Sequence, residues 1–119
     1  MKQYKRSDRL QAQILRDISQ LLDSRLHDVA SGLVTFTRVR LSSDLRNATV
    51  YYSFLGSEEN HQKVIAYLGK QKGRIRSEVG QGLRVRHVPE ILFKFDPSIE
   101  DGIRMEQLFE QIKHDRDRQ

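Results

Sequence analysis

The residues best placed to do chemistry gather in one stretch, from Lys63 to Lys94. It holds eight Lys/Arg residues (Lys63, Lys70, Lys72, Arg74, Arg76, Arg84, Arg86, Lys94) and two acids, Glu78 and Glu90. The whole 119-residue chain carries a net charge of +5, so the surplus of positive charge is concentrated in this window rather than spread. Four of the seven glycines (Gly69, Gly73, Gly80, Gly82) lie in the same window. Cationic side chains beside bare backbone suit a surface that approaches a phosphate chain closely. Charge alone describes a solvated, glycine-broken helix equally well.

Catalytic chemistry is poorly supplied. The histidines are His27, His61, His87 and His114, and none has a second His four residues on, as a helical zinc pair requires. His27-Asp28 and His114-Asp115 are only neighbours in sequence, which does not aim a carboxylate at an imidazole. The serines sit in caps and turns, with no nucleophile elbow. Gly80-Gln81-Gly82 lacks the third glycine of a dinucleotide fingerprint, and no phosphate-loop spacing exists. The absence of cysteine excludes disulfides, thiolate nucleophiles and cysteine-based zinc sites. Neither a metal, a cofactor nor a small-molecule substrate is expected.

Nucleic-acid binding is better supplied. Lys70, Lys72, Arg74 and Arg76 surround Gly73. If a helix starts there, its free backbone N–H groups can also accept a phosphate. Arg84 and Arg86 lie two apart, so on an extended segment both would face one way, with His87 beside them. Several such contacts give sequence-tolerant, salt-sensitive affinity, and an arginine plane can also lie on a base. A pI near 9.7 points to an acidic partner in any case.

The elements that must position these residues follow from pattern. The length is that of one domain, and a composition 37% hydrophobic and 31% charged is polar but patterned. No apolar run is long enough to cross a bilayer, and MKQYKRSDR lacks the apolar core of a secretory signal, so a cytoplasmic protein that meets no membrane is expected. Ser7 reads as the cap of a first helix over 8–28, with Leu10, Ile14, Leu15, Ile18, Leu21, Leu22, Leu26 and Val29 on a wide stripe that suits a sheet. Strands are predicted over 33–41 and 47–55, joined as a hairpin through Ser42-Ser43-Asp44. On the first strand, Leu33, Thr35, Thr37, Val39 and Leu41 share one face and Val34, Phe36, Arg38 and Arg40 the other. Ser57 caps the next helical stretch, which the glycines divide into helices over 58–70 and 73–80 with a kink between. A third strand over 88–95 follows, then a helix over 99–114 with Met105, Leu108, Phe109 and Ile112 on one stripe. The expected class is α+β, with helices on one face of a three-stranded sheet.

With those residues in view, the chain resembles bacterial ribosome-binding factor A from end to end. The likeness is carried by RSDRLQAQILRDISQLL, by VTFTRVRLSSDLRNATVYYSFLG and by LGKQKGRIRSEVGQGLRVRHVPEILFKFDPSIEDGIRMEQLF. Within these, Val39 to Ala48 resembles the family's strand–turn–strand signature. Gly73-Arg74-Ile75-Arg76, Leu83-Arg84-Val85-Arg86 and Val88-Pro89-Glu90 resemble its second.

The resemblance implies a type II KH-like fold, taken as a single domain over 1–119, in which a kinked helix pair replaces the GxxG loop. Where the family has an alanine two residues before the kink glycine, this chain has Gln71 ahead of Lys72 and Gly73. It further implies a protein that binds the immature small ribosomal subunit and its rRNA, supports late maturation and 5′-end processing of 16S rRNA, contributes to cold adaptation, and is not an enzyme; a monomer is expected. The residues expected to touch RNA are Lys70, Lys72, Gly73, Arg74, Arg76, Arg84, Arg86 and His87. The alternative is a protein-interaction module that docks a partner on the outer sheet face through Phe36, Tyr51, Leu55 and Leu92, without touching RNA.

Overall fold

The computed structural model describes the backbone of residues 2–117 and the side chains of residues 6–98 and 105–113. The order is α1 (Lys2–Val29), β1 (Leu33–Leu41), β2 (Asn47–Leu55), α2 (Glu58–Gly82), β3 (Glu90–Phe95) and α3 (Ser98–Asp117). The sheet order is β1-β2-β3; β1 pairs antiparallel with β2, and β3 pairs parallel with β2. The parallel pairing follows from α2, which carries the chain back so that β3 starts beside the start of β2.

The core lies between this sheet and the two helices α1 and α2. Ile14, Ile18, Leu22 and Leu26 form a line at spacing four along α1, and all are buried. They meet Val39, Leu41, Val50 and Ile91 of the sheet, with Val64, Leu68, Ile75 and Val79 of α2 in the same cluster. Leu10, Leu15 and Leu21 flank the α1 line and are partly buried, so the wide stripe read from sequence is a buried seam with half-buried shoulders. The helix starts earlier than the cap expected at Ser7. Lysine, glutamine and arginine before it favour helix, and nothing there stops propagation. At the other end, Gly32 (φ +125°) and Gly56 (φ +159°) enclose the ring of Phe54: a Cβ on either would lie within 2.8 Å of it. Both positions therefore need glycine for space as well as for backbone conformation.

Two expectations are corrected in the sheet. β1 does not alternate uniformly, because its pairing slips between Phe36 and Arg38, leaving Thr37 as the bulged residue. Val34 and Phe36 before the bulge and Val39 and Leu41 after it all turn to the core side. Phe36 packs against Phe93, with centroids 6.0 Å apart, so it is not part of the outer face. β3 begins at Glu90 rather than residue 88. Pro89 has no N–H for the ladder, and the carbonyls of Val88 and Pro89 are engaged by Arg76.

The larger correction concerns α2. It is one helix across Gly69 and Gly73, where two helices over 58–70 and 73–80 are expected from sequence. Each interior glycine costs about 1 kcal/mol relative to alanine. Burying Val64, Leu68, Ile75 and Val79 on the sheet, at ~1.5–3 kcal/mol each, outweighs that. Ser57 does cap the helix, accepting the N–H of Asn60 at 3.1 Å. Because the helix is unbroken, no free N–H groups are presented near Gly73, and the expected phosphate site at a second helix start does not exist.

α3 spans Ser98–Asp117. Its stripe is formed as expected but lies open: Met105, Leu108, Phe109 and Ile112 are 44–61% exposed. Among the described residues, no helix is long and apolar enough to cross a membrane.

Candidate nucleic-acid interface

The C-terminal half of α2 and the segment 83–89 that follows it carry most of the sequence-predicted site. What joins them is Arg76. Its Nη2 donates to the carbonyl of Val88 at 2.7 Å, its Nε lies 3.3 Å and 3.2 Å from the carbonyls of Val88 and Pro89, and its Nη1 is 3.3 Å from Glu90. A planar guanidinium suits this fork of acceptors better than an ammonium does. Arg76 thus positions the loop, and its charge is largely engaged within the molecule. Gly80 completes the junction: a Cβ there would lie 2.6 Å from Val88 Cγ2, so the loop can close on the helix only over bare backbone.

Glu78 engages two further cations. Its Oε2 lies 2.8 Å from Arg25 Nη1 on α1, and its Oε1 3.2 Å from Arg74 Nε one turn earlier on α2. The Arg25 contact is an ion pair rather than a well-directed hydrogen bond, so Oε2 is charge-compensated without an aligned donor. Arg25, chiefly, and then Arg74 hold the Glu78 carboxyl below its ordinary range. Arg74 remains 72% exposed at the side chain, so most of its guanidinium still faces water.

The remaining predicted residues fall on three surfaces rather than one ridge. Arg86 and His87 face Gly73, Ser77 and Gln81 across a groove of about 470 Å³. Nothing lies within 4 Å of where a Cβ on Gly73 would be, so this stretch of helix backbone is open to a ligand. Arg84 turns to the other side, into a cavity of about 610 Å³ shared with Arg6 and Arg9 of α1. Lys72 lines a cleft with Ile65, Leu92 and Phe93 near the β3 edge. Lys70 is exposed on α2. Arg84 and Arg86 do not face one way as expected, because the segment bends at residues 86–87 and pairs with no strand. Arg6 and Arg9 were not among the predicted site residues; their basic character is visible in the sequence, but their meeting with Arg84 is tertiary.

The outer sheet face keeps Tyr51, Leu55 and Leu92, of which Leu92 is 56% exposed. Arg38 lies over the Tyr51 ring at 4.0 Å, a cation–π contact that occupies the aromatic face. His61 is packed between Phe54 (5.2 Å, stacked) and Phe95 (4.6 Å) and pairs with the Tyr52 hydroxyl at 3.0 Å. Ser19, Asp23 and His27 line one cavity, a trio that sequence neighbours did not suggest. Ser19 donates its hydroxyl to the Leu15 carbonyl at 2.8 Å, and no hydrogen bond links the three among the described residues.

Two helices on one face of a small mixed sheet, with a basic groove at the end of the second, make this a KH-like domain. The chain belongs to the ribosome-binding factor A family, whose pattern matches residues 6–109. It is 47% identical over 107 residues to ribosome-binding factor A of Natranaerobius thermophilus, covering 90% of this chain and 82% of that one. It is 44% identical over 108 residues to that of Citrifermentans bemidjiense, covering 91% of each. Among solved structures it is similar to the crystal structure of ribosome-binding factor A from Thermus thermophilus (TM-score 0.62, 25% identity, 75% of this chain and 93% of that one). It is also similar to a homology model of the Thermus thermophilus factor fitted into a cryo-EM map of a 30S–RbfA complex (TM-score 0.56, 25% identity, 77% and 92%).

Proposed function

We propose that this chain is a non-enzymatic assembly factor that binds the immature small ribosomal subunit and its rRNA in the cytoplasm and supports late maturation and 5′-end processing of 16S rRNA. Family membership and the relative placed in a 30S complex support the subunit as partner. The observation that carries RNA contact is the groove in which Arg86 and His87 face the open backbone at Gly73. A phosphate can approach the helix closely there, beside the His87 ring and the Arg86 guanidinium, which lacks a carboxylate partner among the described residues. Lys70, Lys72, Arg74 and Arg84 extend the positive field around it, and Arg76 acts by holding the loop in place.

The test is co-sedimentation with immature small subunits across a salt series. Affinity should fall steeply with salt, and Arg86→Glu should weaken binding and flatten the logarithmic salt slope by about one contact. If a chain with Arg74, Arg84 and Arg86 all reversed to glutamate binds as tightly as wild type with the same slope, the assignment of this face is wrong. Salt-insensitive binding lost on Leu92→Asp would favour the outer sheet face instead.

A further inference from the structure

The sheet has two faces, and α1 and α2 pack on only one of them. On the other, Leu55 is 38% and Leu92 56% exposed. Cations stand on both sides of this apolar band, Arg38 and Arg40 on β1 and Lys94 on β3. Arg38 lies over the Tyr51 ring, which keeps its guanidinium on this face. Glu90 is the one acid on the three strands, and it is paired with Arg76.

α3 has the complementary character. Met105, Leu108, Phe109 and Ile112 stand open on one stripe. Ser98–Asp117 holds six acids against three Lys/Arg, in a chain whose net charge is +5. Glu106 and Glu110 flank the stripe, with Lys113 one turn beyond them.

The root of α3 sits at the edge of the open face. Asp96 N–H bonds the Tyr52 carbonyl and so extends the β3 ladder by one residue. The Thr37 hydroxyl of β1 donates to Asp96 Oδ2 at 3.3 Å, a contact that crosses β2, and Ser53 of β2 is only 4% exposed. Ser98 N–H then bonds Asp96 Oδ1, so the helix starts level with Ser53. From there the lengths match. Met105 to Ile112 lie ~10–21 Å along α3 from Ser98. Tyr51 to Asn47 lie ~7–20 Å back along β2 from Ser53. Leu92 is level with Thr49, in the middle of that range. Gly102, between the bonded root and the stripe, is the weakest helix former of α3 and the natural place for a bend.

We infer that α3 folds back over the open sheet face as a strap, its apolar stripe on Leu92 and the Arg38–Tyr51 pair and its acids toward Arg38, Arg40 and Lys94. The helix is tethered beside this face, which gives it a high effective concentration there, and it carries the charge the face attracts. The closure lies within one chain, so it does not depend on protein concentration. The groove at Arg86 and Gly73 is on the α2 side of the sheet and stays open. A partner that uses the outer sheet face must first displace α3. The inference stands apart from the small-subunit reading.

The chain has no cysteine, so an introduced pair reports the closure cleanly. Leu92→Cys with Phe109→Cys, both at exposed positions, should form a disulfide within one chain under mild oxidation, at a rate independent of protein concentration. Lys70→Cys with Phe109→Cys places the first thiol on α2, and should close about tenfold more slowly or less. Adding Glu106→Lys and Glu110→Lys should slow the Leu92/Phe109 pair about threefold at low salt and by less at high salt. Adding Met105→Asp should slow it at every salt. The inference is overturned if the Leu92/Phe109 pair closes no faster than the Lys70 control, links only between chains, or ignores all of these changes. Each of those results leaves subunit co-sedimentation, and the reading it tests, untouched.

Discussion

Arg76 and Arg86 lie ten residues apart beside one groove, and they do opposite work. Arg76 is folded inward onto the Val88 and Pro89 carbonyls and Glu90. Arg86 is exposed and bonded to nothing among the described residues. Gly80 and Gly73 on α2 repeat the contrast: Gly80 is pressed against Val88, while Gly73 faces open space. One member of each pair builds the junction between α2 and β3, and the other is left open at the surface. Residue type does not separate the two uses; position relative to the 88–90 segment does.

That contrast predicts effects of different kinds. Arg76→Ala removes a charged fork from two backbone carbonyls, one on the buried residue Pro89, and should destabilise the fold by ~2–3 kcal/mol in urea denaturation. Arg86→Ala should stay within ~0.5 kcal/mol of wild type, as exposed substitutions do, and lower only subunit affinity. Equal stability losses at both sites would dissolve the distinction. Gly80→Ala comes next, since its Cβ would meet Val88 at 2.6 Å and should cost ~1–3 kcal/mol. Gly73→Ala has nothing to collide with in the protein, so helix propensity should raise stability by ~0.5–1 kcal/mol. A more stable protein that binds small subunits less well would place the ligand at that backbone. A more stable protein with unchanged affinity would return Gly73 to an ordinary helix position.

Much of this frame is legible in the sequence. The spans of β1 and β2, the cap at Ser57 and the stripes of α1 and α3 follow from periodicity and capping chemistry, which are local. The continuity of α2 through Gly73 is not legible, because glycine lowers helix propensity locally, while the packing of Ile75 and Val79 on the sheet, which keeps the helix whole, is tertiary. The bulge at Thr37 moves Phe36 to the core for a similar reason: strict alternation predicts faces only while pairing stays in register. The sequence supplies the cationic residues as a set but not as a surface. Composition counts Arg76 and Arg84 with the rest; only the folded chain gives one to Val88 and the other to Arg6 and Arg9.

The smallest effect concerns Glu78, which ties the groove's helix to α1. Its carboxyl is held below the ordinary glutamate value of 4.5, first by Arg25 and then by Arg74. A carboxyl whose folded pKa is depressed binds its proton more readily in the unfolded chain. Its contribution is therefore present in full above about pH 5 and is lost as pH falls through the folded value. Glu78→Gln should remove that part of the acid limb and leave the neutral-pH groove geometry at Arg76 and Val88 unchanged. Arg25→Ala should flatten the same limb more than Arg74→Ala, because the Arg25 contact is shorter and dominates the shift. Urea midpoints measured at steps from neutral pH to about pH 3 would show it. If Arg74→Ala flattens the limb more, then Glu78 belongs to the ligand face of α2 rather than to the seam with α1, and the boundary between the built junction and the open groove lies one residue pair nearer the core.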